Sequence, residues 1–368
     1  MPAEETAAPQ QAAHRAAFLL GETTVKNIAF ICMAMISLLP TLASADSRPE
    51  LTIMTHDSFS ASKDVLAGFE AQHGVRLRIL QSGDSGVALN QAILAKNSPL
   101  ADIFYGVDNT FLSRALEAGI FIPYEPAGLE DIPASLRLDP DSALVPVDFG
   151  DVCLNYDINW FESRNMTPPA SLEDLLRKEY AGLTVVQNPA TSSPGLAFLL
   201  ATIGHFGADG AWDFWRGLKQ NGVLITGGWK DAYWGHFTAA SKGNRPIVVS
   251  YATSPAAEVH FGQNLQSAPT AAVLTRGSAF RQIEFAGILK GTPREELARA
   301  FMDFVVSTRF QEDIPLQMFV FPANARAVLP EVFRQHARQA EAPAQVLPAA
   351  IDARRDTWIS TWTAIMLN

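Results

Sequence analysis

The sequence predicts an α/β fold arranged in two lobes, and three observations carry that prediction. Strand-like and helix-like stretches alternate between residues 51 and 118. A second alternating set occupies residues 171–226. The chain of 368 residues is also longer than one ordinary hydrophobic core fills.

In chain order, residues 51–55 form a short apolar strand and residues 60–72 a helix. Over 75–80, Val75, Leu77 and Ile79 alternate with Arg76 and Arg78, the period of a half-buried strand. Val87, Leu89, Ile93 and Leu94 give 86–96 an apolar helical face. A strand at 101–105 and a helix at 109–118 complete a βαβαβα run, which argues for a mostly parallel sheet. Two extended segments, 145–149 and 152–156, could cross between the lobes. The second set reads as helix 171–180, strand 183–187, helices 194–205 and 209–219, and strand 223–226. Another strand follows at 247–250, strand character at 271–286, and helices at 293–306 and 350–366. The Pro/Ala-rich stretch 341–350 reads as a connector, and there is no internal repeat.

The N-terminus predicts export. Lys26 precedes an apolar run that ends in the small-x-small site Ala43-Ser44-Ala45, so residues 1–45 are a leader and Asp46 begins the mature protein. The run is too short for a good transmembrane helix. The 24 residues before Val25 fit no part of a signal peptide. Translation is therefore expected to start at Val25 from a GTG codon, which a start-codon knockout tests. Cys32 lies inside the run behind Phe30 and Ile31, a poor context for lipid attachment. Only Cys153 remains in the mature chain, so no intramolecular disulfide can form. The expectation is a soluble periplasmic protein. Its 323 mature residues carry 26 basic and 35 acidic side chains, a net charge of −9 that argues against a nucleic-acid partner.

Binding chemistry concentrates at 227–255. Trp229, Tyr233 and Trp234 precede the strand at 247–250, which ends in Tyr251 and a polar turn, Thr253-Ser254-Pro255. Strand ends are where α/β sheets hold ligands. Aromatic faces there suit a flat organic cation, through the ring quadrupole. Ordinary packing with a polar tip is the alternative. At 83–86, Gly-Asp-Ser-Gly lies between a strand and a helix, where backbone N–H groups bind an anion or are capped by Ser85. Asp84 is placed there to meet a ligand amine. The same four residues occur in the nucleophile loop of trypsin-like proteases, but Val87 follows them and no β-barrel pattern accompanies them. Thr191-Ser192-Ser193-Pro194-Gly195 opens a helix, with Ser193 as N-cap and Pro194 at the first helical position. Ser192 and Ser193 could meet a phosphate or carboxylate there, or serve only as caps. His56 follows the first strand beside Asp57 and Ser58.

Several motifs are missing. There is no phosphate-binding G-x-x-x-x-G-K-[ST] and no G-x-S-x-G elbow. His56, His73, His205, His236 and His260 are scattered, so no zinc spacing exists, and neither a metal nor a cofactor is expected.

Taken in order, the segments 51–59, 106–109, 145–150, 188–196, 227–233, 248–255 and 358–362 resemble the periplasmic thiamine-binding proteins of ABC importers. The resemblance covers about residues 50–366 and implies the type II periplasmic binding protein fold, with a hinge between its lobes. It implies lobe 1 at 46–148, lobe 2 at 149–252, a return to lobe 1 at 253–315 and a C-terminal helical segment at 316–368, with hinge crossings near 148–151 and 251–255. Trp229 and Tyr251 match ligand-contacting aromatics. Phe319 falls where relatives often have Trp. Ser192 and Ser193 match the turn at the hydroxyethyl or phosphate end, and Asp84 or Ser85 an acidic position. His56 stands where some relatives have Tyr, and Ala257 where some have another aromatic.

The resemblance thus implies a binding protein for thiamine, thiamine monophosphate or thiamine diphosphate. It would act as a monomer, with an inner-membrane permease and its ATPase subunit as partners. Two alternatives stay open. One is a receptor for a polyamine, another pyrimidine or a metal; the adjacent Tyr pair of ferric-ion binders is missing, because Ala252 follows Tyr251. The other is a secreted thiamine-degrading enzyme with Cys153 as nucleophile, although Cys153 sits in an apolar strand pattern that favours an inert role.

Overall fold

The computed structural model describes residues 48–262 and 267–368. The leader, its cleavage site, Val25 and Cys32 lie outside the described residues. The strands are β1 (Glu50–Thr55), β2 (Arg76–Gln81), β3 (Ile103–Asp108), β4 (Phe121–Ile122), β5 (Val145–Asp157), β6 (Thr184–Gln187), β7 (Leu224–Thr226), β8 (Ile247–Tyr251), β9 (Thr270–Val273), β10 (Phe280–Leu289) and β11 (Phe321–Pro322). The helices are α1 (Lys63–His73), α2 (Ser85–Leu94), α3 (Leu112–Glu117), α4 (Ile158–Glu162), α5 (Ser193–Gln220), α6 (Ser254–Phe261), α7 (Glu295–Val306), α8 (Thr308–Gln311), α9 (Ile314–Gln317), α10 (Glu331–His336) and α11 (Pro348–Met366).

These strands join one sheet in the order β2-β1-β3-β10-β5-β8-β6-β7, with β4 on β10 and β9 and β11 on β5. Parallel pairing unites β2, β1 and β3 on one side and β7, β6 and β8 on the other. Between them β5 and β10 run antiparallel over most of their length, and each is also antiparallel to its outer neighbour. This is the two-lobed α/β architecture the sequence predicted: two parallel sets of opposite position, bridged by two long strands. Helices cover the parallel sets, so β3 and β6 are buried throughout. In the second set, Trp362 of α11 meets Trp215 of α5 edge-on at 5.5 Å, which places the Trp358–Trp362 pair in the core.

Five local readings change. The extended segments 145–149 and 152–156 are a single 13-residue strand. Gly150 does not break it; a Cβ there would stand 2.8 Å from Tyr251 Cδ1, so the glycine provides a close approach. The stretch 171–180 is two 3₁₀ turns, because Arg177 between them is extended. The first helix starts at Lys63 instead of residue 60, since the Asp313 carboxylate holds extended Ser62 by its N–H at 2.6 Å and its hydroxyl at 2.5 Å. The polar turn after Tyr251 is the start of α6, with proline in its first turn. The two helices read at 194–219 run together as α5, bent at Gly207, whose φ of 71° suits glycine.

Candidate functional site

The carboxyl ends of β1, β2 and β3 face those of β6, β7 and β8 across a cleft that is partly open to solvent. Clefts at such strand ends are where α/β sheets hold small molecules.

One wall is aromatic. After β7, Gly227 and Gly228 lead into a π-helical turn, Asp231–His236, a geometry concentrated at functional sites. Trp229 stacks on Tyr233 at 4.9 Å and 20°, and Trp234 packs edge-on against both. The indole N–H of Trp229 donates to Ser250 Oγ at 2.9 Å, which orients the ring. Tyr233 is 1% exposed and its hydroxyl donates to Glu258 at 2.6 Å, so Tyr233 mainly backs Trp229. Tyr251 projects from the end of β8. Phe319 lines the cleft with φ 56°, a conformation unusual for a bulky residue, and its carbonyl accepts from the Thr253 hydroxyl. Phe261 lies 5.1 Å from Phe319, and both line the cleft together with Ala257.

The other wall is acidic. Asp84 is the N-cap of α2; its Oδ1 accepts from the Ser85 N–H at 2.9 Å and from the Ser193 N–H of α5 at 2.8 Å. A Cβ on Gly228 would stand 3.3 Å from Asp84 Oδ2, a tight contact that the carboxylate would have to ease by a few tenths of an ångström. Burial pushes the Asp84 carboxyl up to about 6, against the Ser193 hydrogen bond and the charge of His56. His56 Nε2 lies 3.2 Å from Glu284 Oε2, both side chains nearly buried. The Ser58 N–H points at His56 Nδ1 from 3.2 Å. Burial opposes the His56 proton, but the charge and hydrogen bond of Glu284, with Asp148 and Asp84 nearby, raise the imidazole to about 9. A Cβ on Gly106 would collide with His56 Cδ2 at 2.3 Å, so that glycine makes room for the imidazole.

Behind this pair Asp148, fully buried, accepts from the Tyr105 hydroxyl at 2.8 Å, and burial with the charge of Glu284 holds its carboxyl well above the usual range. Burial likewise lifts Asp108 to about 7, although Thr110 donates to it. Gln282 ties the walls together: Oε1 accepts from the Tyr251 hydroxyl at 3.0 Å, while Nε2 donates to Asp108 at 3.1 Å and to Ser193 Oγ. Lys230 adds a bond across the cleft, from Nζ to the carbonyl of Asp57.

Of the residues read as ligand-binding, His56, Asp84, Ser85, Ser193, Trp229, Tyr233, Tyr251 and Phe319 all line this cleft. Ser192 is the N-cap of α5 in place of Ser193; it is fully buried, and its hydroxyl has no partner among the described residues. Neither serine caps α5 through its side chain, because the Asp84 carboxylate does so. Similarly, Asp84 and not Ser85 caps α2. Residue-by-residue reading missed Glu284, Gln282, Asp108 and Asp148. Gln282 and Glu284 carried a signal: two polar residues at strand period two within the apolar run of β10. Among the described residues no group of His, Cys, Asp and Glu is placed to hold a metal ion. Cys153 is fully buried away from the cleft, and burial pushes its thiol up, opposite to an activated nucleophile. No helix of the described residues is long and apolar enough to cross a membrane.

This geometry has relatives. The chain is 32% identical over 321 residues to the thiamine-binding periplasmic protein of Escherichia coli (strain K12), covering 86% of this chain and 93% of that one. It superposes on a solved periplasmic thiamin binding protein with a TM-score of 0.77 at 30% identity, covering 87% and 96% of the two chains. A ferric binding protein from Campylobacter jejuni, at 20% identity and a TM-score of 0.69 over 86% and 99%, shares the fold. Residues 98–340 match the model of the bacterial extracellular solute-binding proteins, and with two parallel lobes around one cleft, the chain belongs to that family.

Proposed function

We propose that this protein captures thiamine or its phosphate esters in the periplasm and delivers it to the inner-membrane permease of an ABC importer, which works with an ATPase subunit. The observation that carries the reading is one cleft with a stacked Trp229–Tyr233 face on one wall and the Asp84 and Glu284 carboxylates on the other. Thiamine is a flat aminopyrimidine joined to a permanently positive thiazolium. Aromatic faces attract the charge, by about 2 kcal/mol when desolvated. The carboxylates accept from the amine or offset the ring charge. The names of the relatives agree with this ligand and with export. The lobes close by bending near 148–151 and 251–255, and the Asp84–Ser193 and Lys230–Asp57 bonds support a closed arrangement. The receptor acts as a monomer and performs no covalent step. The buried Cys153 supports that, and Cys153→Ser should leave binding intact.

One observation favours a second ligand. Asp57, Asp84 and Glu284 together give the cleft the carboxylates a polyamine would use. His56 neutralises Glu284, which tips the balance back to a single flat cation. A phosphate ester must also share or displace Asp84 to reach the Ser193 N–H. Calorimetric titration of residues 46–368, unfolded and refolded to remove carried-over ligand, tests the reading with thiamine, both phosphate esters, spermidine and ferric citrate. Tight 1:1 binding of a thiamine species, weakened in Trp229→Ala and Tyr251→Ala, is the expected result. A folded protein that binds spermidine but no thiamine species would overturn it.

A further inference from the structure

The register of the two central strands sets Glu284 of β10 directly opposite Asp148 of β5. Like charges at facing positions of an antiparallel pair repel, and burial removes the water that would screen them. A fold that needed only stability would put apolar residues there. Instead the two acids are managed separately. Asp148 accepts from the Tyr105 hydroxyl, deep in the core. Glu284 is only 9% exposed and lines the cleft. His56 Nε2 holds its Oε2. Among the described residues His56 is the hydrogen-bond partner of this carboxylate, and it engages Oε2, not Oε1. Glu284 lines the cleft, so this second oxygen is open to a donor arriving from that side.

We infer that Glu284 is a specificity-determining contact, whose Oε1 accepts a hydrogen bond from the exocyclic amine of the ligand's aminopyrimidine, with His56 as the positioning residue that fixes the carboxylate. This rests on the thiamine reading above. His56 donates through Nε2 to Oε2, which fixes one oxygen of the carboxylate and leaves the other to the cleft. The acid wall then divides its work. Asp84 is engaged by two backbone N–H groups and supplies charge near the start of α5. Glu284 supplies a directed acceptor. A site built to accept from an amine rejects an analogue that presents a carbonyl in its place, because acceptor then meets acceptor.

The probe is oxythiamine, which keeps the thiazolium and replaces the amine with a carbonyl. The mature protein should bind thiamine roughly ten- to a hundred-fold more tightly than oxythiamine by calorimetry, as expected for a bond to a charged acceptor. Glu284→Gln, nearly isosteric, should reduce that ratio to about three-fold or less. Glu284→Asp, which keeps the charge but retracts the oxygen, should do the same and carries the test if the glutamine variant fails to fold. His56→Gln retains an N–H donor and should preserve the discrimination, whereas His56→Ala should lose most of it. An equal loss of affinity for both ligands in Glu284→Gln would mean that Glu284 only offsets the thiazolium charge, and would overturn the inference. So would an unchanged ratio, or a wild-type protein that binds both compounds equally. A folded protein that binds no thiamine compound would overturn the thiamine reading itself, a different result from thiamine binding without discrimination.

Discussion

Trp229 and Tyr233 stack on the aromatic wall from positions four residues apart, whereas His56 and Glu284 on the acid wall are 228 residues apart in the chain. One short stretch, residues 229–236 with its π-helical turn, brings the stacked and edge-on rings of Trp229, Tyr233 and Trp234 together in the first wall. The second needs β1, β2, β3, β5 and β10 to be assembled together. The aromatic wall is therefore a local feature that offers area and a π-face. The acid wall is a network in which Asp84, Asp108, Asp148, Glu284, Gln282 and His56 share protons, charge and hydrogen bonds. Damage to the first should remain local, and damage to the second should spread.

The largest expected effect comes from the acid wall. Asp84→Asn removes the charge but keeps a good helix N-cap, so folding should hardly change. Thiamine affinity should fall about 100-fold, near 3 kcal/mol, as a desolvated cation loses its carboxylate. Calorimetry beside a thermal melt checks both parts. A variant that binds as well as the parent would place the ligand's charge elsewhere. Next is Trp229→Ala, which removes the cation–π face, about 2 kcal/mol or ~30-fold in affinity. Ser250 and Ser254 can still bond each other at 2.9 Å, so the truncation leaves no orphaned hydroxyl and stability should barely move.

Protonation separates the walls without a mutation. The Asp84 carboxyl in the free protein sits at about 6, and a bound cation favours its ionised form. Affinity for thiamine should therefore be full above pH 6 and lost as pH falls through that value, by about ten-fold at pH 5. His56, at about 9, keeps its proton across this window and contributes no slope. Asp84→Asn should flatten the profile, whereas Trp229→Ala should weaken binding equally at both pH values. A Trp229→Ala profile that is flat while Asp84→Asn still slopes would reverse the assignment.

The same contrast explains what the sequence made legible. The α/β alternation was readable because each element carries its own period, as in Val87, Leu89 and Ile93 of α2. The aromatic wall was readable for the same reason: its rings are neighbours. Asp84 showed itself by its place between a strand and a helix. Glu284 and Asp148 lie inside apolar strands, and their meeting depends on the antiparallel register of β5 and β10, which no local pattern encodes. Ser192 and Ser193 were read as free to meet an anion because nothing nearby in sequence competes for the start of α5. The competitor, Asp84, is 109 residues away.

The smallest effect tests where the walls join. Tyr251 belongs to the aromatic wall by its ring and to the acid wall by its hydroxyl, which donates to Gln282 Oε1. That bond fixes the amide so that Nε2 faces Asp108 and Ser193 Oγ. Tyr251→Phe keeps the ring and leaves one buried amide oxygen without its donor, a loss of about 1 kcal/mol. If the hydroxyl serves only to hold Gln282, thiamine affinity should drop no more than about five-fold, far less than for Tyr251→Ala. If Tyr251→Phe instead matches Tyr251→Ala, the hydroxyl contacts the ligand directly and the network behind it is secondary. The comparison of the two variants thus measures how much of the aromatic wall acts through its faces and how much through the acids it is bonded to.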